Sequence, residues 1–240
     1  MENLSNLFVF IHIPKNAGSS VNKILSHVYK DALFNGLKIR ADKVVETVKY
    51  LNAEEKEKIK AFTSHDRYKT AKYLFPNRKI ILTGLLREPV SRLVSYIKYV
   101  KQTPTHRHYL ATKELSLDES LKYFISINEG EISNDQCRYL GDCSSFEMAK
   151  SSIINNFSIV GTVDNFDEFV LACSNKLGWD IAQLNIYKKQ NESKKVPGEK
   201  PSDWFLHQAI ELNTEDKKLY EYVYSHPKGI VFGSGIQNII

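Results

Sequence analysis

The sequence predicts an α/β protein, one domain over residues 1–240 with a central parallel β-sheet flanked by helices. Three observations carry that expectation. Residues 7–13 (LFVFIHI) and 77–86 (NRKIILTGLL) are apolar on successive positions, as strands buried on both faces must be. Each is followed at once by helical periodicity: Val21, Ile24, Leu25 and Val28 after the first, and Val90 to Val100 behind Pro89 after the second. Residues 157–163 (FSIVGTV) repeat the order, with a helix from Asp164 that stops at Gly178. Strands that alternate with helices form right-handed βαβ units.

The remaining elements follow in chain order. Residues 43–60 are charged and helical, and "KAFTSH" reads as a short strand ending at His65. Residues 188–203 are polar, basic and broken by two prolines, longer than an ordinary connection. The segments DWFLHQAIELN and EDKKLYEYVYSH are two late helices. A 240-residue chain can bury a sizeable core, and 42% hydrophobic with 25% charged residues is an ordinary globular balance. No apolar run has the length of a membrane span, and the acidic start MENLSNLFVF lacks the basic region of a signal peptide. Three cysteines, an odd number of which only Cys137 and Cys143 lie close in sequence, fit reduced thiols and a cytoplasmic location. A net charge of +5 suits an anionic ligand but not the dense basic stripe that nucleic acid requires.

The chemistry is expected where strands end. In a parallel sheet, ligands sit beyond the strands' carboxyl ends. The stretch HIPKNAGSS lies at such an end. Gly18 lets backbone approach a ligand, the amides of Ala17, Gly18, Ser19 and Ser20 open the first helix, and Lys15 adds a mobile cation. Read alone, it is as well explained as a tight turn with a surface lysine. The strand 77–86 ends in REPVSRLVSY, where Arg87 and Ser95 can reach a phosphate beside the first loop. Two anion sites at adjacent strand ends suit a nucleotide with phosphates at two positions.

These residues carry a family resemblance. HIPKNAGSS resembles the 5′-phosphosulfate loop, and REPVSRLVSY the 3′-phosphate motif, of sulfotransferases that use 3′-phosphoadenosine 5′-phosphosulfate (PAPS), with their P-loop-like fold. The carbohydrate branch, with the heparan and dermatan/chondroitin sulfate O-sulfotransferases, is the nearer match. FTSHDRY, NDQCRYLGD, SIVGTVDNFDEFV and ELNTEDKKLYEYV resemble further segments of that branch, in order. Asn16 stands where the family has threonine, with a side chain still able to donate to an oxyanion; Glu88 stands where Arg-Asp-Pro is usual. The animal enzymes' anchor and stem have no counterpart, which points to a soluble microbial relative.

The resemblance implies PAPS as donor, no metal, and a hydroxylated acceptor such as a saccharide or glycolipid. Lys15 and the loop amides would stabilise charge on the leaving phosphate. His65 matches the family's histidine and is the expected general base, with Asp66 as runner-up. Lys194 and Lys195 resemble a late loop that closes over the adenosine and 3′-phosphate. Segments 101–116 and 128–146 are expected to shape the acceptor pocket. His106 and His108 fall in the first of them, in THRHY, where no acidic or cysteine partner has metal-ligand spacing. Arg138 is either an acceptor-facing cation or a core ion-pair residue. Two rivals remain. A P-loop kinase would need Ser/Thr directly after the loop lysine and a Walker-B aspartate, and both are missing. A non-catalytic binding module would keep the anion sites without needing His65.

Overall fold

Strand β1 (Asn6–Ile11) is the axis of the molecule, with Leu7 to Ile11 all at most 2% exposed. The structure, a computed structural model, describes residues 6–180 and 199–235. β2 (Leu33–Asn35), β3 (Ala61–Ser64), β4 (Lys79–Leu86), β5 (Ile159–Thr162) and β6 (Ile230–Val231) complete a six-stranded sheet of order β2-β3-β1-β4-β5-β6. All neighbouring pairs are parallel except β5 with β6.

Alternation along β1 sends side chains to two cores. Leu7, Val9 and Ile11 face one apolar cluster, which includes Leu140, Ile153, Leu219 and Val223. Phe8 and Phe10 face the other, against Val21 and Leu25 of α1 (Gly18–Tyr29) and Phe169 and Cys173 of the helix Phe166–Leu177. A third cluster lies among the helices Leu117–Ser126, Asp203–Leu212 and the one that follows β4. Cys137, Cys143 and Cys173 are free thiols. No helix of the described residues is long and apolar enough to cross a membrane.

Several boundaries differ from expectation for local reasons. The first strand stops at Ile11, so His12 and Ile13 belong to the loop that follows. The helix expected over 43–60 is two, α2 (Ala41–Tyr50) and α3 (Ala53–Lys58). Asn52 starts the second with a capping box closed by Glu55, a strong local helix start. After α4 (Tyr68–Leu74) and β4, helix α5 runs from Pro89 to Gln102. Glu88 caps it, accepting from the amides of Val90 and Ser91. That gives the glutamate a structural role one methylene longer than the usual aspartate. The 128–146 segment is not all loop: residues Asp135–Gly141 are helical.

β1 lies between β3 and β4, so the chain leaves it first to one side and later to the other. Such a reversal opens a crevice at the carboxyl ends of the strands. The expected loop and both expected strand-end residues, His65 and Arg87, stand there.

Candidate active site

A cavity of about 580 Å³ opens over the carboxyl ends of β1, β3 and β4. Lys15, Ala17, Gly18, Ser19, His65, Arg87, Ser95 and His106 all line it. The first loop was expected to hold an anion, and its backbone is unusual. Lys15 (φ 71°) and Ala17 (φ 55°) are both left-handed, a conformation that turns successive amides toward one side. Ala17 is the N-cap of α1 and supplies no side-chain cap, so the helix start is left to the backbone. The Ser20 amide turns back to the Ala17 carbonyl (2.9 Å), and Ser20 is not part of the cavity wall.

Gly18 lines the cavity, and its missing side chain also has a cause inside the protein. The space beside Gly18 is taken by protein: a Cβ there would stand 1.8 Å from His12 Cδ2. Glycine is therefore required by the imidazole packed on it. Asn16 is fully buried, and its Nδ2 donates to the Leu85 carbonyl (2.8 Å) and to Gln136 Oε1 (2.7 Å). Its amide hydrogens are thus committed to protein, and it ties the loop to β4 rather than donating to a ligand.

Gln136 extends the tie. Its Oε1 also accepts from the Arg87 amide (2.9 Å) and its Nε2 donates to the Arg87 carbonyl (2.9 Å). One buried amide therefore sets the distance between the two strand ends that carry Lys15 and Arg87. Gln136 is itself held by a reciprocal cap. Asp216 accepts from the amides of Gln136 (3.0 Å) and Cys137 (2.8 Å), while Asn134 Oδ1 accepts from the amides of Glu215 (3.0 Å) and Asp216 (3.1 Å). Two helix starts, Asp135–Gly141 and Thr214–Tyr224, thus cap each other.

The cations are held close together. Arg87 donates Nη1 to the Lys15 carbonyl (3.0 Å), and the Lys15 ammonium rests 4.3 Å from the centre of the Tyr99 ring. Burial first, then the neighbouring Arg87 charge, lowers the Lys15 pKa. Burial also lowers that of Arg87, against the opposing pull of Asp164 and Glu88. Two partly desolvated cations that repel each other gain by receiving an anion.

His65 is exposed at the cavity, and its Nδ1 lies 3.0 Å from the His12 carbonyl oxygen. A carbonyl can only accept, so Nδ1 carries the proton and the neutral ring keeps its lone pair on Nε2. Although the ring is open to the cavity, the protein packed around it partly desolvates it and lowers its pKa, opposed by the His12 bond and by Asp66 and Asp135. Asp66 does not line the cavity; its Oδ2 is buried without a hydrogen-bond partner among the described residues.

The expected acceptor segments both reach the cavity, through His106 and through Glu131 and Tyr139. His108 does not. It bonds Tyr123 Oη (3.2 Å) and Glu129 (2.7 Å), and Arg107 grips both oxygens of the same Glu129 at 2.8 Å. The acidic partner that spacing failed to place beside THRHY comes from 21 residues further on. Arg138 makes the ion pair of its two expected roles. It bonds Asp135 (2.8 Å) and the carbonyls of Ser133 (2.6 Å) and Gly130, and stands outside the cavity wall. Lys194 and Lys195 lie outside the described residues.

Against known proteins, a model of the sulfotransferase family matches residues 4–223. The chain belongs to the sulfotransferase family. Among solved structures it is similar to the mouse sulfotransferase SULT7A1 complexed with PAP, at 13% identity over 92% of this chain and 84% of that one, with a TM-score of 0.47. No curated protein matches it.

In this sulfotransferase, several site residues escape sequence reasoning, among them His12 and Arg92, which stand inside the quoted motifs. His12 lines the cavity, and burial, then the charges of His65 and Lys15, push its pKa down to about 3. Its ring centre lies 4.6 Å from that of His65. Arg92, 1% exposed, donates to the carbonyls of Pro14 (3.4 Å) and Glu131 (2.5 Å) and to Asp135 (3.3 Å). It joins the first loop to the acceptor segment. A charged residue one turn before Ser95, on the side of α5 that also buries Tyr96, was the available signal.

Proposed function

We propose that this sulfotransferase moves a sulfuryl group from PAPS to an acceptor hydroxyl, on a carbohydrate, with His65 as the general base. The observation that carries the reading is the Nδ1 bond of His65 to the His12 carbonyl, which leaves Nε2 as the free lone pair beside a pair of underused cations. The acceptor oxygen bonds to sulfur as the bond from sulfur to the phosphate oxygen breaks, and the acceptor proton passes to Nε2. Lys15 and the amides opening α1 stabilise charge on the departing phosphate. Arg87 and Ser95 would hold the 3′-phosphate. No step requires a metal ion, because protein cations meet the phosphate charge.

Calorimetry separates binding from catalysis. Adenosine 3′,5′-bisphosphate is expected to bind without added metal and more tightly than adenosine 5′-monophosphate, with Arg87→Ala erasing the difference. His65→Ala should leave that affinity in place and slow transfer by about 10²–10⁴-fold. Because only the neutral ring accepts a proton, kcat/KM should rise with pH through a midpoint below the ordinary histidine value of about 6.5. Full transfer activity in a stably folded His65→Ala protein would refute the assignment.

A further inference from the structure

The cavity that gathers Lys15 and Arg87 also has a wall of a different character. Glu131 and Tyr96 both line it. Around Glu131 stand two other carboxylates, and both are matched: Glu129 by Arg107 and His108, Asp135 by Arg92 and Arg138. Glu131 is the least matched: its side chain is 36% exposed, it makes only a long ion pair with Arg107 at 3.8 Å, and its carboxylate accepts no hydrogen bond from the described residues. Burial first, then Asp135 and Glu129, raises its pKa, so a donor from outside would relieve it.

Tyr96 supplies the independent observation. It is 1% exposed, and its hydroxyl has no hydrogen-bond partner among the described residues. A buried hydroxyl is rarely left so, because the desolvated group gains nothing in exchange for water. Burial, then Glu131 and Glu129, raises its pKa, so the phenol keeps its proton and remains a donor. One unmet donor and one unmet acceptor on the same wall match a group that both accepts and donates: a hydroxyl, or with greater gain at Glu131, an amine. A carboxylate or sulfate placed there would face Glu131 as a like charge.

We propose that Glu131 and Tyr96 form an acceptor-orienting pair that selects an uncharged or amine-bearing polyhydroxylated acceptor over an anionic one. The proposal rests on the sulfuryl-transfer reading and narrows its acceptor class. Glu131 acts as a specificity residue by charge, and Tyr96 by hydrogen bonding.

The test uses the full chain saturated with adenosine 3′,5′-bisphosphate, titrated by NMR with three methyl pyranosides: glucoside, glucosaminide and glucuronide. They share a ring and differ in one substituent. The glucosaminide should bind tightest and the glucuronide weakest, with up to about fivefold between amine and neutral sugar, the range of a partly exposed ion pair. Glu131→Gln should bring the three affinities together while bisphosphate affinity holds. Tyr96→Phe, nearly isosteric, should weaken glucoside and glucosaminide alike and leave their ratio intact. Equal response to all three sugars, no response included, or tightest binding of the glucuronide overturns the proposal. Failure of the bisphosphate itself to bind is a different result: it removes the nucleotide reading and this proposal with it.

Discussion

His65, His12 and Gly18 form one mechanical unit at the end of β1 and β3. Gly18 makes room for the His12 ring, and the His12 carbonyl fixes the tautomer of His65. Displacing the His12 ring would therefore disturb the backbone carbonyl that orients His65. The unit also sets an acid limit on the fold. His12 is held neutral in the folded protein, with its pKa down from 6.5 to about 3, whereas in the unfolded chain it titrates normally. Between those values the unfolded state binds more protons, so stability is full above about pH 6.5 and falls as the pH drops toward about 3. Urea midpoints measured near neutrality and again at mildly acidic pH should separate, and His12→Asn should reduce the separation. An unchanged separation would mean that other groups set the acid limit. At this scale the sequence was legible wherever a motif residue stands at a strand end, as Lys15, His65 and Arg87 do. The parallel-sheet rule fixes their location before any side chain is placed. Tyr96 and Glu131 were not legible, because their meeting depends on how α5 packs against a segment far along the chain.

The mutual cap between the helices Asp135–Gly141 and Thr214–Tyr224 gives two separate motifs one purpose. NDQ at 134–136 and NTED at 213–216 each place an asparagine and an acidic or amide side chain at a helix start. Asn213 joins them, accepting from the Asn134 amide (3.0 Å) and donating to the Ile132 carbonyl (2.9 Å). Asp216 is completely buried, so Asp216→Ala leaves two amides without partners. The expected loss is about 2–6 kcal/mol in urea denaturation, since each buried amide left without a partner costs about 1–3 kcal/mol. Bisphosphate affinity should fall as well, although Asp216 is no part of the cavity wall, because Gln136 would lose its anchor. Stability lost with affinity preserved would show that Gln136 holds the strand ends unaided. Among the elements, the long strands were readable because both faces are buried past the first residues, leaving β1 and β4 mostly apolar there. β2 and β6, three and two residues long, carry too little pattern to be seen; their neighbours recruit them. The break between α2 and α3 was open to reading in Asn52 and Glu55, a capping box inside an otherwise continuous helical period.

At the scale of the molecule, Lys15 and Arg87, the charged groups among the described residues expected to meet the donor nucleotide, come from the first 95 residues, while the brace that spaces them is finished by residues 213–216. Distance along the chain thereby becomes an order in time. During synthesis, β1, β3 and β4 can pair and bring Lys15 and Arg87 to one edge long before Asn213 and Asp216 exist. Until then the Asp135–Gly141 helix start has no partner for the amides of Gln136 and Cys137, and Gln136 has nothing to hold it between the strands. Nascent chains arrested on the ribosome should acquire bisphosphate binding only once the segment through residue 224 has emerged, and binding by chains halted before residue 213 would break the link. A translating ribosome would thus release the nucleotide site late and nearly all at once, and premature stops would leave fragments that carry the loop motifs yet capture none of the cell's nucleotide.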